Sequence, residues 1–152
     1  MPSFSPSSGT PRSMSPSLEQ YIEAIAHLLT KDKVCSVSEI AAEVQVSRPA
    51  ASRAVRELSE KELVEHKAYG YVDLTAAGQT IADMLTARHE ALYDFLESVL
   101  GFDSDWADEE ACRLEHLVDD ELVARMTVLK EFMDKEDACR KDWKRYLVDF
   151  LG

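Results

Sequence analysis

Cys112, Glu115 and His116, in the stretch ACRLEH, set a thiol, a carboxylate and an imidazole at positions i, i+3 and i+4. On a helix, which the surrounding pattern predicts, all three side chains project from one face and can converge on one point. A mixed sulfur, oxygen and nitrogen set of this kind suits a first-row divalent ion. The same residues also make an ordinary polar helix surface, with the cysteine as a small hydrophobe. His89, in TARHEAL, adds an imidazole on the preceding long helix, and Glu23 adds a carboxylate near the N-terminus. Gln20, one turn before Glu23, is either a further oxygen donor or the closing residue of a capping box opened by Ser17. No HExxH motif marks a zinc hydrolase, and no nucleophile and base stand out as a pair.

A second group of residues has the chemistry of nucleic-acid recognition. The stretch SRPAASRAVREL holds Arg48, Arg53 and Arg56 with no acid before Glu57. A helix that presents its first turns to the major groove needs small polar side chains and arginine there, because serine reaches base edges or phosphate and arginine binds guanine through two hydrogen bonds. Ser47, Pro49, Ser52 and Arg53 are therefore candidates for the bases, and Arg48, Arg56 and Lys67 for the phosphates. Three arginines on an isolated helix are as easily a solvated face. The elements on either side favour DNA.

Those elements read as follows. SLEQYIEAIAHLLT carries an apolar stripe of Leu18, Ile22, Ile25 and Leu29, which predicts a helix. Ser36 with Glu39 forms a capping box for a second, short helix, and Ser47 caps a third with Pro49 in its first turn, where the missing N–H costs little. LVEHKAYGYVDLT then alternates β-formers around Tyr69 and Gly70, a hairpin pattern, and Thr75 can cap the next helix. Helix, helix, helix, hairpin is the order of a winged helix-turn-helix. Beyond it, Ile81, Leu85, Leu92, Leu96 and Val99 predict one long helix ended by LGFDSD, followed by helices over 105–118, 119–133 and 136–150. The expected architecture is mainly α, with a disordered tail over 1–16, a DNA-binding domain over 17–76 and a helical domain over 77–152.

Composition sets the outer limits. The 152 residues are 45% hydrophobic, enough for folded cores. No apolar run approaches the roughly 20 residues that cross a bilayer, and the start lacks the apolar stretch of a signal peptide, so the cytoplasm is the expected location. Cys35, Cys112 and Cys139 are an odd number at no zinc-finger spacing, and disulfides are not expected. The net charge of -12 argues against a phosphate-binding surface until its distribution is read. Residues 1–80 hold 8 Lys/Arg against 10 Asp/Glu, whereas residues 81–152 hold 9 against 19. The acid belongs to the second half.

SLEQYIEAI, SEIAAEVQVSRPAASRAVREL, YVDLTAAGQTIA, RHEALYDFL and EEACRLEH, in that order, resemble the DtxR/MntR family of metal-dependent transcriptional repressors over about residues 17–150. The resemblance implies a winged helix that reads operator DNA, a helical domain that forms a homodimer, and Mn(II) or Fe(II) as corepressor. It assigns metal contact to Glu23, His89, Cys112, Glu115 and His116. Gln20 falls where manganese members tend to have Asp and iron members Met, while Tyr93 and Asp108 fall where iron-responsive members place an ancillary site. The 152 residues leave no room for the SH3-like third domain of longer members and match the short, manganese-type ones. The expected function is repression of metal-uptake genes on a palindromic operator. Two rivals remain: a metal-independent winged-helix regulator of a small organic ligand, and a metalloenzyme.

Overall fold

A computed structural model describes residues 16–32 and 35–151, with the side chains of 16, 32, 137–140 and 151 left aside. Of the tail expected over 1–16, residues 1–15 lie outside the described residues, as does the side chain of Cys139, and Pro16 belongs to the first helix. The chain divides into two compact units, residues 16–86 and 87–151 among those described, and the division falls inside one helix.

The first unit holds α1 (Pro16–Asp32), α2 (Val37–Glu43), α3 (Arg48–Glu60), β1 (Val64–His66), β2 (Val72–Leu74) and the first part of α4 (Ala76–Asp94). The stripe on α1 buries as its spacing requires: Leu18, Ile22 and Ile25 enter the core, with Leu29 packed at its edge. Ile40 of α2, Val55 and Leu58 of α3, Val72 of β2 and Leu85 of α4 complete it, each almost wholly buried. Full burial of one such side chain stabilises by about 1.5–3 kcal/mol.

Local chemistry sets the ends of these elements. Ser36 and Glu39 form the predicted capping box, and Ser47 caps α3 by accepting from Ala50 N at 3.4 Å. One cap differs from expectation: α1 already begins at Pro16, so Ser17 lies inside the first turn and is not its N-cap. Helices α2 and α3 both end in paired backbone bonds that return to the last turn, Val46 N to Ala41 O and Leu63 N to Leu58 O. The reversing residues are Gln45 (φ 58) and Glu62 (φ 59), positions that usually hold glycine.

Strands β1 and β2 pair antiparallel in the register Val64 with Leu74 and His66 with Val72, which makes the wing. Its tip turns through consecutive left-handed residues, Tyr69 (φ 63) and Gly70 (φ 77). Thr75 caps α4 as predicted, accepting from Gly78 N at 3.1 Å and donating to Glu62 O at 2.7 Å. A Cβ on Gly78 would stand 2.0 Å from Leu63 O, so only glycine lets α4 start against this loop.

The second unit continues α4 into a π-helical stretch, Phe95–Val99, followed by α5 (Ser104–Leu114), α6 (Asp120–Lys135) and α7 (Asp137–Leu151). Leu92 and Leu96 pack on Ala107 and Ala111, whose small side chains let α5 approach closely. Trp143 of α7 donates through Nε1 to Val99 O at 2.6 Å. The helix expected over 105–118 stops at Leu114: Glu115 is its C-cap, and the amides of Leu117 and Val118 turn back to Leu114 O before Asp119 caps α6. The chain is mainly α, with a winged helix-turn-helix at its N-terminal end. No described helix is long and apolar enough to cross a membrane.

Candidate functional site

The third helix separates its residues sharply by chemistry. Ala51, Ala54, Val55 and Leu58 are buried, while Arg48, Pro49, Ser52, Arg53 and Arg56 are all exposed, together with the cap Ser47. The core thus fixes the rotation of α3, and every candidate DNA contact on it faces solvent. Ser47 already spends one acceptor on its own helix, which leaves its O–H to donate. Further along, Arg53, Arg56 and Lys61 share an open groove with Glu57 and Glu60. Arg48, at the start of α3, lies outside that mixed-charge groove.

Lys67 stands between β1 and the wing tip, exposed as expected, but its charge is engaged. Its Nζ donates to Glu65 at 2.5 Å and lies 3.7 Å from Asp73 on the paired strand. The hydrogen bond to Glu65, and after it the charges of Glu65 and Asp73, hold the Lys67 ammonium above its ordinary range. A phosphate has to compete with these two carboxylates for it.

In the second unit α4 and the end of α5 bring together three of the predicted metal ligands. His89 Nδ1 lies 3.0 Å from Glu115 Oε2, and His116 Nε2 lies 3.4 Å from Glu115 Oε1. The Glu115 side chain is only 3% exposed, so a carboxylate is set between two imidazoles away from bulk water. A buried carboxylate demands a positive or hydrogen-bonding partner, and a carboxylate with two neutral imidazoles is a donor set that can serve a divalent cation. Oxygen and imidazole donors fit Mn(II) or Fe(II). On its other side His89 Nε2 meets Asp108 at 3.1 Å, the arrangement that orients a ligating ring.

The remaining assigned donors are placed differently. Cys112 is exposed on α5, whereas Glu115 and His116 are buried. Because α5 ends at Leu114, the helical register that predicts one shared face does not extend through His116. Gln20 and Glu23 lie one turn apart on α1, the first exposed and the second half-buried. Tyr93 is half-buried against Leu92 and Leu96 in the second core.

Sequence reading passed over Arg88. It is 8% exposed, with Nη1 donating to Glu115 O at 2.9 Å and Nη2 to Asp120 Oδ1 at 2.6 Å. The signal was available: position 88 lies three after Leu85 and four before Leu92, on the apolar stripe itself. An arginine there must be buried and therefore paired.

Comparison with known proteins places this geometry. Residues 13–72 match the N-terminal DNA-binding domain of the iron-dependent repressors, and residues 75–144 match their metal-binding and dimerisation domain. The chain is 32% identical over 125 residues to an uncharacterized HTH-type transcriptional regulator of Methanocaldococcus jannaschii, covering 80% of this chain and 99% of that one. It is 30% identical over 129 residues to the HTH-type transcriptional regulator MntR of Bacillus subtilis, covering 85% and 90%. Among solved structures, the manganese regulator SloR superposes with a TM-score of 0.64 at 34% identity, covering 80% of this chain and 55% of SloR. The chain thus spans about half the length of that structure.

Proposed function

Because the chain belongs to the iron-dependent repressor family, whose members are metal-dependent DNA-binding transcriptional repressors and not enzymes, we propose that it represses genes of metal-ion uptake with Mn(II) or Fe(II) as corepressor. The observation that carries the metal reading is the buried Glu115 carboxylate between His89 and His116, in the part of the chain that the metal-binding domain matches. A bound divalent ion would supply positive charge to the buried carboxylate there. Glu115 and the two rings would be its protein donors in this unit, and Asp108 would hold the His89 ring in orientation. Glu23, Cys112 and Gln20 are the other donors in the reading, each testable by substitution.

The DNA side follows from α3. Ser47, Pro49, Ser52 and Arg53 would meet the bases, and Arg48, Arg56 and Lys67 the phosphates. A homodimer carries two such helices, which suits a palindromic operator with half-sites about one turn of DNA apart. The cytoplasm is the proposed location. Metal would favour the DNA-binding state by a coupling of about 1–3 kcal/mol, and operator DNA must then tighten metal binding by the same factor. Titration of operator binding against Mn(II), Fe(II) and Zn(II) under reducing, anaerobic conditions tests the reading. Operator binding indifferent to all three ions would overturn it in favour of a metal-independent regulator.

A further inference from the structure

We infer that Arg88 is a positioning residue for the metal ligands, a clamp that holds the Glu115–His116 turn at a fixed distance from His89; the inference rests on the metal-site reading above. Arg88 and His89 are neighbours on α4, and the Arg88 side chain reaches the two ends of one short turn. Nη1 binds the carbonyl of Glu115, the C-cap of α5, and Nη2 binds the carboxylate of Asp120, the first residue of α6. The carbonyls of a last helical turn have no partner within the helix, and a cation there is favoured by the helix dipole. Asp120 is likewise a suitable anion at a helix N-terminus.

The turn between these two anchors carries Glu115 and His116. Glu115 is therefore held twice from adjacent positions of α4, its backbone by Arg88 and its carboxylate by His89 at 3.0 Å. The guanidinium and Asp120 neutralise each other, so the clamp adds no net charge to oppose a bound cation. Its planar fork spans two acceptors that a lysine ammonium, a single point of charge, does not. Groups that hold metal ligands from behind typically alter metal affinity 10- to 100-fold when removed.

The test uses the full chain with Mn(II) alone and no DNA, in Arg88→Lys, Asp120→Ala and Glu115→Gln. Mn(II) affinity should fall about ten-fold or more in Arg88→Lys and Asp120→Ala. At saturating metal, their Mn(II) paramagnetic resonance spectra should differ from the parent's, which a loss of stability alone does not produce. Asp120 is 72% exposed, so Asp120→Ala is expected to fold even if Arg88→Lys does not. Parent-like affinity and spectrum in Asp120→Ala, with only a lower melting temperature, would overturn the clamp. Parent-like Mn(II) binding in Glu115→Gln would instead overturn the metal site on which it rests.

Discussion

His89 Nδ1 and Glu115 Oε2 lie 3.0 Å apart, one on α4 and the other at the end of α5, with the carboxylate shielded from solvent. Glu115 and His116 are only 2% and 6% exposed. His116→Ala therefore leaves a hole and should cost about 1–3 kcal/mol of stability on top of its effect on metal. Glu115→Gln is the cleaner variant, because an amide keeps the volume and can still hydrogen-bond both rings while losing the charge a cation needs. It should abolish the Mn(II) response of operator binding with the circular dichroism spectrum and dimer mass unchanged.

Arg53 and Lys67 should separate base reading from phosphate binding. Arg53→Ala is expected to weaken operator binding by about 1–3 kcal/mol and random duplex far less, as for a two-hydrogen-bond base contact. Lys67→Ala should weaken both duplexes alike and flatten the salt dependence. Since Glu65 and Asp73 share the Lys67 charge, Glu65→Gln should do the reverse, strengthening both duplexes. Competition titrations at several salt concentrations read all three, and a sequence-selective effect at Lys67 would remove it from the phosphate set.

The winged helix was legible in the sequence because its signals are local. A capping box at Ser36, a cap at Ser47, Pro49 and the turn at Tyr69–Gly70 each act within a few residues, and the apolar stripes then decide which faces pack. Similarly, the ACRLEH stretch and His89 were legible as donors by residue type. What spacing does not carry is where a helix stops. The end of α5 at Leu114 depends on a turn held from α4 by Arg88, a contact 27 positions away. The burial of Glu115 beside an exposed Cys112 is of the same kind, set by packing and not by local preference.

Glu62 offers a stability test independent of function. It follows α3 in the left-handed region at φ 59, exposed, where its side chain costs roughly 1 kcal/mol that glycine does not incur. Glu62→Gly should therefore raise stability by about 0.5–1 kcal/mol in denaturant titration. The return bond from Leu63 N to Leu58 O needs no side chain from residue 62 and should persist. A loss of stability would mean that the added freedom of the unfolded chain outweighs the relief of strain.

The described thiols should differ in reactivity and in their effect on pH stability. Burial pushes the Cys35 thiol from 9.0 up to about 12, with the charges of Glu39 and Asp73 adding to the shift, whereas Cys112 is exposed. In a Cys139→Ser background at pH 8, a thiol reagent should label Cys112 and leave Cys35 until the chain unfolds. Cys35 keeps its proton longer in the folded state than in the unfolded one. Its contribution to stability is complete below about pH 9 and is lost as pH rises towards 12. The alkaline decline should be shallower in Cys35→Ala than in the parent, as measured by denaturant titration across that window. Mn(II) should also slow the labelling of Cys112 if its sulfur is a ligand.

Which metal acts is tested at Gln20. The donor reading rests on this exposed amide, one turn before Glu23 on α1. An amide oxygen is a hard, neutral donor that Mn(II) accepts, but it brings no charge. A thiolate at Cys112 and the Irving–Williams order both lean towards Fe(II), while Glu23 and Glu115 are hard anions that keep Mn(II) competitive. Both ions should therefore activate operator binding, with Mn(II) proposed as the physiological signal. Gln20→Asp should lower the half-saturation concentration of Mn(II) relative to Fe(II), and Gln20→Met should raise it. If neither variant moves that ratio in anaerobic operator titrations, Gln20 is no ligand, and selectivity is set at Cys112 or by the supply of metal in the cell.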